Sequence, residues 1–403
     1  MKCIYLNGHG QRWVATAGAA CLLIGLGVGP SAAASGPSAK ASFGTWGASA
    51  DRTSATLIDQ TVRNIVRTNI GGSDLRISLS NVFGSQPVTF GRAAVGVHTS
   101  GGTIEPGSNR SVTFGGSPSI TVPAGAEVLS DPLPGNVPAQ QDLAVSVYVQ
   151  GAPGTVTGHN LASQTSYVST PGDHTTDESA ATFPTAVSNW YWLDGIVLSG
   201  SKQTSTVAAL GDSITDGFGS TPNTNRRWPD FLATRLLDAP TSQAMGVINE
   251  GISGNRVLTD RAGVSALARF DRDVLAQPGV ETVILLEGIN DISGGATADQ
   301  VIAGYRQLIA RAHAEETCIL GGTLTAFENA GAEREAKRTA VNRFIRTSGE
   351  FDAVIDFDAA TRDPADPDGL LPAYDSGDSL HPSDAGYEAM ANAVDLGRLD
   401  CKR

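Results

Sequence analysis

The chain has little positive charge, little cysteine and little histidine for its 403 residues. It carries 28 Lys and Arg against 41 Asp and Glu, which gives a formal net charge of -13 at pH 7. An acidic chain is poorly suited to bind nucleic acid or an anionic membrane surface, and we predict neither partner. The 4 Cys and 6 His do not cluster with acidic residues at the spacing of metal ligands, so we predict no metal. Gly-x-Gly-x-x-Gly is absent after the first strand of the second half of the chain, which argues against a dinucleotide, and we predict no cofactor.

Long apolar runs are missing after the first 35 residues, so no membrane span is predicted there. The one extended run, Val14–Val28, follows the basic residues Lys2 and Arg12 and precedes the small residues Ser31–Ala34. This order of a basic segment, an apolar segment and small residues is typical of a secretory signal peptide. We therefore predict a leader over residues 1–34 and an extracellular protein.

Cleavage of this leader is predicted near Ala34, with residues 35–42 as a flexible lead-in because they are small and polar. Two alternatives for the leader were weighed. A membrane anchor is disfavoured because the apolar run is short for a span. Lipid attachment at Cys21 is disfavoured because Gly18 stands where a lipoprotein signal has a branched aliphatic residue.

Residues 43–200 have a β pattern. Apolar and polar residues alternate in Leu75–Ser80 and Ala144–Val149, and turn residues such as Gly71-Gly72 and Pro123–Gly125 separate the runs. Short alternating strands with frequent turns favour an antiparallel β-sandwich. Among sandwiches we prefer a jelly roll.

Residues 206–400 follow a polar hinge at 200–206 and have a different pattern, in which short apolar runs alternate with segments of helical spacing. This alternation predicts an α/β domain with a parallel, doubly wound sheet, in which ligands bind beyond the carboxyl ends of the strands. The predicted strands are Val207–Leu210, Gly246–Asn249, Thr282–Leu286, Cys318–Gly322 and Ala353–Asp356, and the predicted helices are Arg227–Leu237, Val264–Leu275, Ala298–Ala314, Ala332–Thr347 and a last one that begins at Ser383.

Four short segments follow predicted strands at that edge of the sheet: Gly211–Thr215, Gly251–Asn255, Gly288–Asp291 and Asp378–His381. Together they contain a hydroxyl nucleophile, a base, a carboxylate that can orient the base, and N–H donors for an oxyanion. Each segment alone also has a structural interpretation as a cap or a turn. The ordered set indicates acyl transfer.

At these residues the chain resembles the SGNH (GDSL) hydrolase superfamily, whose name denotes four residues that match Ser213, Gly254, Asn290 and His381. The resemblance covers about residues 206–399. It implies a flavodoxin-like three-layer α/β/α fold and ester hydrolysis without a metal. Three intervening stretches resemble a secreted bacterial subgroup, related to esterases of xylan-degrading systems, that often has a β-rich domain first: Arg227–Asp230, Leu267–Asp273 and Leu371–Asp375.

Ser213 is the predicted nucleophile, and His381 is the predicted base because it lies in a loop before a helix. Asp378 is predicted to fix the tautomer of His381, as in the Asp-x-x-His of the family, and Asp375 is its rival. Asp212, Thr215 and Asp216 are expected to brace the first turn by local hydrogen bonds, and Asp291 is expected to brace the third. The other histidines receive no catalytic role, since His98, His159 and His174 fall in the β region and His313 in a helix.

The oxyanion donors are predicted to be the backbone N–H groups of Ser213 and Gly254 and the side-chain amide of Asn290. Asn255 and Arg256 are candidates for the pocket floor. Trp228 and Tyr374 are candidates for substrate contact, with packing as the alternative. In the β region a sugar-stacking face and a core position are both considered for the aromatic residues, namely Tyr148, Tyr167, Trp190, Tyr191 and Trp192.

The predicted function is a secreted serine esterase that hydrolyses short acyl esters, acetyl among them, of carbohydrates or similar alcohols through an acyl-serine intermediate. The alternatives are a short-chain lipolytic or aryl esterase, and an inactive hydrolase remnant that binds carbohydrate. The expected partner is a small-molecule or polysaccharide ester. Two questions stay open at this stage: the oligomeric state, and whether Cys318 is free or bridged to Cys401.

Overall fold

The computed structural model describes residues 41–201, 204–239, 244–327 and 331–401. The predicted leader and residues 35–40 of the lead-in lie outside the described residues. The last two residues of the predicted lead-in, Ala41 and Ser42, instead belong to the first strand, because the strand that ends at Gly200 extends far enough to pair with them. In the described part of the chain, no helix is long and apolar enough to cross a membrane.

The β-rich region, residues 41–200, is described without gaps and contains sixteen strands. They are β1 Ala41–Gly47, β2 Asp51–Thr53, β3 Gln60–Arg67, β4 Gly72–Ser80, β5 Val88–Ser100, β6 Thr103–Ile104, β7 Arg110–Val112, β8 Ile120–Val122, β9 Glu127–Leu129, β10 Leu133–Val137, β11 Asp142–Gln150, β12 Val156–His159, β13 Ser166–Pro171, β14 Thr185–Val187, β15 Trp190–Tyr191 and β16 Leu193–Gly200.

Two antiparallel sheets form a sandwich. One has the order β1-β16-β4-β10, with β9 on β4, and the other has the order β14-β13-β3-β11-β5-β6, with β7 and β8 on β5. From β3 to β5, and again from β10 to β11, consecutive strands alternate between the two sheets, which is the connectivity of a jelly roll. A small sheet, β15-β12-β2, lies beside them.

The apolar positions of the alternating strands fill the space between the two sheets. Leu75, Ile77 and Leu79 of β4 are buried in the same cluster as Val145 and Val147 of β11. A strand exposes successive side chains on opposite faces, so this alternation fixes which face each sheet turns inward.

The aromatic residues that are candidates for a sugar-stacking face differ in how deeply they are buried. Trp190, Tyr191 and Trp192 are buried in the core of the sandwich, so a sugar-stacking role is wrong for these three. Burial removes large apolar area from water, and the Trp190 indole also donates a hydrogen bond to the Ile65 carbonyl at 2.8 Å. Tyr148 and Tyr167 are half-buried.

The α/β region forms a five-stranded parallel sheet with the order β18-β17-β19-β20-β21, the flavodoxin-like order. Its strands are β17 Ser205–Gly211, β18 Met245–Gly251, β19 Val280–Leu286, β20 Cys318–Gly322 and β21 Ala353–Ile355. Its helices are α1 Ser213–Asp216, α2 Trp228–Asp238, α3 Ala266–Phe270, α4 Ile289–Ser293, α5 Ala298–Ala314, α6 Ala332–Thr347, α7 Phe357–Thr361 and α8 Asp384–Asn392.

The two regions share a buried boundary along β1. The N–H of Gly44 donates to Thr206 Oγ1 at 2.9 Å, and Ala48 forms a parallel bridge with Asn249 of β18. Ser49 lies at the same boundary, where its hydroxyl donates to Glu250 Oε2 at 2.6 Å. Edge strand β18 of the parallel sheet is therefore covered by the β-rich region, which protects backbone groups that an open edge would expose.

Cys318 and Cys401 form a disulfide with a Cα–Cα distance of 5.9 Å. Cys318 begins β20, so the bond joins the amino end of this strand to the C-terminal segment. This end of the sheet is opposite to the one where the four predicted site segments emerge.

Candidate active site

Three neighbouring strands of the parallel sheet end in the same row. Gly211 of β17 pairs with Gly251 of β18 on one side and with Leu286 of β19 on the other. Ser213, Gly254 and Asn290 follow this row by two, three and four residues. The sheet therefore brings three sequence-distant segments to one edge, which is where parallel sheets bind ligands.

Ser213 is the first residue of the short helix α1. The Asp212 carboxylate accepts a hydrogen bond from the N–H of Ile214 at 3.1 Å and caps the helix. Gly217 ends it with a φ of +96°, a conformation that favours glycine. Because the first N–H groups of a helix have no partner within it, this position leaves the Ser213 N–H free of the helical pattern.

The Ser213 hydroxyl and the His381 ring are in hydrogen-bond contact, with 2.8 Å between Oγ and Nε2. On the other side of the ring, Nδ1 lies 2.6 Å from Asp378 Oδ2. The Asp378 carboxylate also accepts the backbone N–H of His381 at 2.8 Å. These contacts form a continuous hydroxyl–imidazole–carboxylate chain, with Nδ1–H as the donor to Asp378 and Nε2 as the acceptor for the hydroxyl.

Asp375, the rival of Asp378, has a different task. Its carboxylate accepts the N–H groups of Gly377 and Ser379, both at 3.0 Å. These bonds shape the base loop, the name we use for residues 375–383. Asp378, which is three residues from His381, is the carboxylate that contacts the ring.

Hydrogen bonds keep the Asp378 carboxylate ionised. Partial burial would raise its pKa, but the backbone and ring hydrogen bonds from His381, together with the charge that the ring can carry, outweigh burial and lower the pKa below its usual value. An ionised carboxylate at this position stabilises the imidazolium that forms when His381 accepts a proton.

Gly254 and Asn290 lie on what we call the oxyanion loops, residues 251–257 and 287–291. Gly254 has a φ of +79°, where a side chain would be strained. Asn290 lies in the first turn of α4, and its Nδ2 is buried with no hydrogen-bond partner among the described residues. Buried amide groups are normally paired, so an unpaired donor at a sheet edge is a group that a ligand oxygen can satisfy.

Comparison with known proteins shows which family the α/β region resembles. Residues 209–389 match the profile of the GDSL-like lipase/acylhydrolase family. The α/β region belongs to this family. The chain is accordingly a carboxylic ester hydrolase, and the predicted fold class of a flavodoxin-like hydrolase domain after an all-β domain is confirmed.

No curated protein matches the chain. Among solved structures, Axe2, an acetylxylan esterase from Geobacillus stearothermophilus, is 24% identical with a TM-score of 0.38 and covers 49% of this chain and 94% of its own. LAE5, an α/β hydrolase from the metagenome of Lake Arreo, is 23% identical with a TM-score of 0.39 and covers 49% and 96%. A member of the lipolytic G-D-S-L family from Veillonella parvula is 21% identical with a TM-score of 0.37 and covers 47% and 94%.

Buried carboxylates hold the loops of this GDSL domain together. Asp216 Oδ2 accepts both the N–H and the hydroxyl of Ser253, at 2.9 and 2.6 Å. Asp291 accepts the N–H groups of Val257 and Leu258 at 2.8 and 3.1 Å. The prediction that Asp216 braces its own turn through local bonds is wrong, because its side chain reaches the next loop instead.

Two acids at the floor of the site, Asp212 and Glu287, are shielded from water. Burial, with a smaller contribution from the Asp291 charge, raises the pKa of Asp212 to about 7. Burial likewise raises the pKa of Glu287 to about 8, although the nearby Arg269 guanidinium, 3.7 Å away, acts in the opposite direction. Near neutral pH the floor of the site therefore holds less negative charge than its composition indicates.

The other residues predicted to line the site occupy different places. Trp228 is fully buried against Phe357, so it packs in the core and does not contact substrate. Asn255 is buried too, and its amide donates to the carbonyls of Ala262 and Val264 at 2.6 and 2.9 Å, which folds the loop back on itself.

Phe218 was not predicted to be part of the site. Its ring lies 4.4 Å from the His381 ring, between centroids, and 42% of the residue is exposed. It belongs to the segment that follows α1, which the β-rich region holds through hydrogen bonds between Asn223 and both Ser163 and Thr165. An exposed apolar ring beside the base is placed to contact an acyl or alcohol group.

Within the described ranges, the group of side chains close enough to share a metal ion is Cys318, Asp352 and Cys401. It lies at the amino end of β20, away from Ser213. Metal sites of this type require thiolates, whereas the two cysteines are joined in a disulfide.

His159 is a second residue near the site that the sequence did not predict. It ends β12 of the β-rich region, yet its Nε2 lies 3.0 Å from Asp216 Oδ1, in the helix that begins with Ser213. The two residues are 57 positions apart in sequence and do not belong to a common sequence motif. No local pattern in the sequence around His159 names Asp216 as its partner.

Proposed function

We propose that the protein is a secreted serine esterase that removes short acyl groups, such as acetyl, from carbohydrates or similar alcohols. Ser213 is the nucleophile, His381 the general base and acid, and Asp378 the carboxylate that orients His381. The N–H groups of Ser213 and Gly254 and the Asn290 amide form the oxyanion hole. We further propose that the chain after its leader divides into a β-sandwich domain, 43–200, and a hydrolase domain, 206–400.

The observation that carries this proposal is the chain of contacts from Ser213 Oγ to His381 Nε2 and from His381 Nδ1 to Asp378 Oδ2, at 2.8 and 2.6 Å. A serine hydroxyl is a weak nucleophile unless a base accepts its proton. Here the base is in contact with the hydroxyl, and its second nitrogen is held by a carboxylate.

In the first half of the reaction, His381 Nε2 accepts the hydroxyl proton as Ser213 Oγ bonds to the ester carbonyl carbon. The negative charge that develops on the carbonyl oxygen is stabilised by the three N–H donors, and the removal of one donor from a comparable site costs about 2.7–4 kcal/mol. The tetrahedral intermediate then breaks its bond to the alcohol oxygen, which takes the proton from His381. Acyl-serine and free alcohol are the products.

In the second half, water replaces the alcohol. His381 accepts a proton from the water molecule as its oxygen bonds to the acyl carbon, and the same donors stabilise the second oxyanion. The bond to Ser213 Oγ breaks, the proton returns to Oγ, and the carboxylic acid leaves. An alcohol in place of water would give acyl transfer by the same steps.

The site supports short acyl groups over long ones. In the part of the chain that the structure describes, the large apolar side chains that are more than a third exposed are scattered over the fold, and Phe218 is the one that contacts a predicted catalytic residue. A long acyl chain requires a continuous apolar surface to leave water, at about 25 cal/mol per Å² buried. One phenyl ring suits an acetyl or similarly short group.

The test compares the wild-type protein with Ser213→Ala on acetylated xylan and on p-nitrophenyl esters of increasing chain length. We expect activity on acetyl esters that falls with chain length, and a loss in kcat on the order of 10³ or more in the variant. Ser220→Ala is the matched control, because this buried serine of the same segment donates to the Gly217 carbonyl and should remain active. Retained activity in Ser213→Ala would contradict the proposal.

The same experiment separates the alternatives. Turnover of p-nitrophenyl esters without release of acetate from xylan would indicate a short-chain aryl or lipolytic esterase. Absence of covalent labelling by a serine-directed phosphonate would favour an inactive remnant that binds carbohydrate. Sequencing the N-terminus of the exported protein tests the proposed secretion, with a start at Ser35 as the expected result.

A further inference from the structure

The hydrogen bonds of His159 show which protons it carries. Its Nδ1 lies 2.9 Å from the Ser49 carbonyl oxygen, and its Nε2 lies 3.0 Å from Asp216 Oδ1 and 3.2 Å from the Leu161 carbonyl oxygen. Carbonyl and carboxylate oxygens only accept hydrogen bonds, so both ring nitrogens must donate. The ring is therefore positively charged in this arrangement.

The charges around His159 agree with this assignment. Burial would lower its pKa, but the Asp216 charge, the hydrogen bond to Asp216 and the one to the Ser49 carbonyl outweigh burial and raise the pKa above its usual value. The other charged group that faces it, the Arg227 guanidinium at the start of α2, acts weakly in the opposite direction. Trp190 packs against the ring with 5.6 Å between centroids.

Asp216 connects this cation to the candidate active site. One of its oxygens accepts from His159, and the other accepts from the N–H and hydroxyl of Ser253. Asp216 is the last residue of the helix that Ser213 begins, and Ser253 directly precedes Gly254. The carboxylate therefore fixes the distance between the nucleophile and an oxyanion donor.

We propose that His159, a residue of the β-rich region, is a positioning residue for the esterase site, where as an imidazolium it holds Asp216 against Ser253 and so keeps Ser213 and Gly254 in register. This inference rests on the proposed function. It gives the β-rich region a part in turnover beyond covering the edge of the sheet.

Removal of the cation leaves the Asp216 carboxylate buried without its nearest positive partner, so it must reorganise, and the oxyanion loop moves with it. A displacement of about 1 Å at the reacting groups, caused by a change far from them, can cost about 100-fold in rate. Since Gly254 acts on the transition state, the loss should appear in kcat more than in KM.

The pH dependence follows from the sign of the charge. The contact is complete while His159 is protonated and is lost as pH rises through the pKa of His159 in the folded protein. We therefore expect kcat of the wild-type protein to fall on the alkaline side.

The experiment measures kcat and KM for p-nitrophenyl acetate across pH in wild type, His159→Gln and His174→Gln, with thermal unfolding followed for each. His174 is the matched control: it also belongs to the β-rich region and contacts an aspartate, with 2.9 Å between its Nδ1 and Asp177 Oδ2, but that aspartate does not reach Ser253. We expect His159→Gln to lower kcat at least tenfold with little change in KM and to lose the alkaline fall, and His174→Gln to match wild type.

Ser253→Ala tests the same connection from the other end and leaves the boundary between the regions intact. It should lower kcat and weaken the alkaline fall, and its effect should not add to that of His159→Gln in the double variant. This variant decides the matter if His159→Gln does not fold. Wild-type kcat and pH profile in either variant, or an equal loss in His174→Gln, would overturn the inference. If Ser213→Ala remains active, the proposed function fails instead, whatever the His159 variants do.

Discussion

Two histidine–aspartate pairs lie under opposite conditions, one in the base loop and one beneath the oxyanion loops. In the base loop the side chains of His381 and Asp378 are 12% and 41% exposed, and the two residues are three positions apart in sequence. Beneath the oxyanion loops the side chains of His159 and Asp216 are 6% and 4% exposed, and the pair joins two regions of the chain. One pair is local and partly solvated, and the other is long-range and dry.

The difference shows how each pair can be used. A histidine that exchanges protons during catalysis needs contact with solvent and with the nucleophile, and His381 has both. A histidine that only holds a carboxylate in place is more effective away from water, where the attraction between opposite charges is less screened. Under our proposals, the same two residue types serve proton transfer in one place and positioning in the other.

Removal of the Asp378 carboxylate is expected to have the largest effect on kcat of the changes that test this comparison. Asp378→Asn replaces the acceptor of His381 Nδ1–H with a neutral amide, so the ring is no longer held in the required tautomer. We expect kcat to fall by about 10⁴ with little change in the free energy of unfolding, because the pair is partly exposed. Steady-state kinetics and thermal unfolding measure the two effects.

Asp375→Asn is the control for this variant. Asp375 lies in the same loop but accepts backbone N–H groups of that loop, which an amide oxygen can still do in part. Its activity should stay within about tenfold of wild type. A larger loss in Asp375→Asn than in Asp378→Asn would mean that the orienting carboxylate has been assigned to the wrong residue.

Much of the α/β region follows from local sequence. The bounds of β20, α5 and α6 agree with the predicted ones because a continuous apolar run marks the strand and regular apolar spacing marks the helices. The Thr297 capping box also fixes the start of α5. The predicted helix Val264–Leu275 is instead α3 followed by a π-helical turn, Asp271–Leu275, a change that apolar spacing does not report.

The contacts of the candidate site also include one that local sequence predicts and one that it does not. The contact of Asp378 with His381 could be predicted because a three-residue separation in one loop brings the side chains together. The contact of Asp216 with His159 could not, since it depends on how the sandwich packs on the sheet. The aromatic residues show the same limit: burial of Trp190 and Trp192 is decided by the facing sheet, which no local pattern specifies.

A variant of Asn290 tests the oxyanion loops as Asp378→Asn tests the base loop. Asn290→Ala removes the unpaired Nδ2 donor, and we expect kcat to fall by about 10²–10³ with a small change in KM, because the donor acts on charge that develops only in the transition state. Asn290→Asp has the same shape but offers an acceptor where the oxyanion would lie. It should lose more activity than Asn290→Ala, and equal or higher activity would argue against Asn290 as a donor.

The smallest expected effect is on the free energy of unfolding. It tests whether the floor of the site is less solvated than the base loop. Since the pKa of Glu287 in the folded protein is about 8, compared with a usual value of 4.5, the folded state keeps a proton that the unfolded state loses between these values. The free energy of unfolding therefore falls as pH rises through this window, by at most about 1.4 kcal/mol per pH unit, and becomes level above pH 8.

Glu287→Gln removes this titration while it preserves the shape of the side chain. Between pH 5 and 8 its free energy of unfolding should fall less steeply than that of wild type, as measured by urea denaturation at each pH, whereas Glu281→Gln at an exposed position should follow wild type. Parallel curves for Glu287→Gln and wild type would show that Glu287 is ionised throughout, held by Arg269 at 3.7 Å. The floor of the site would then carry as much charge as the base loop. The contrast between buried groups at the floor and partly solvated groups in the base loop would no longer be supported by their charges.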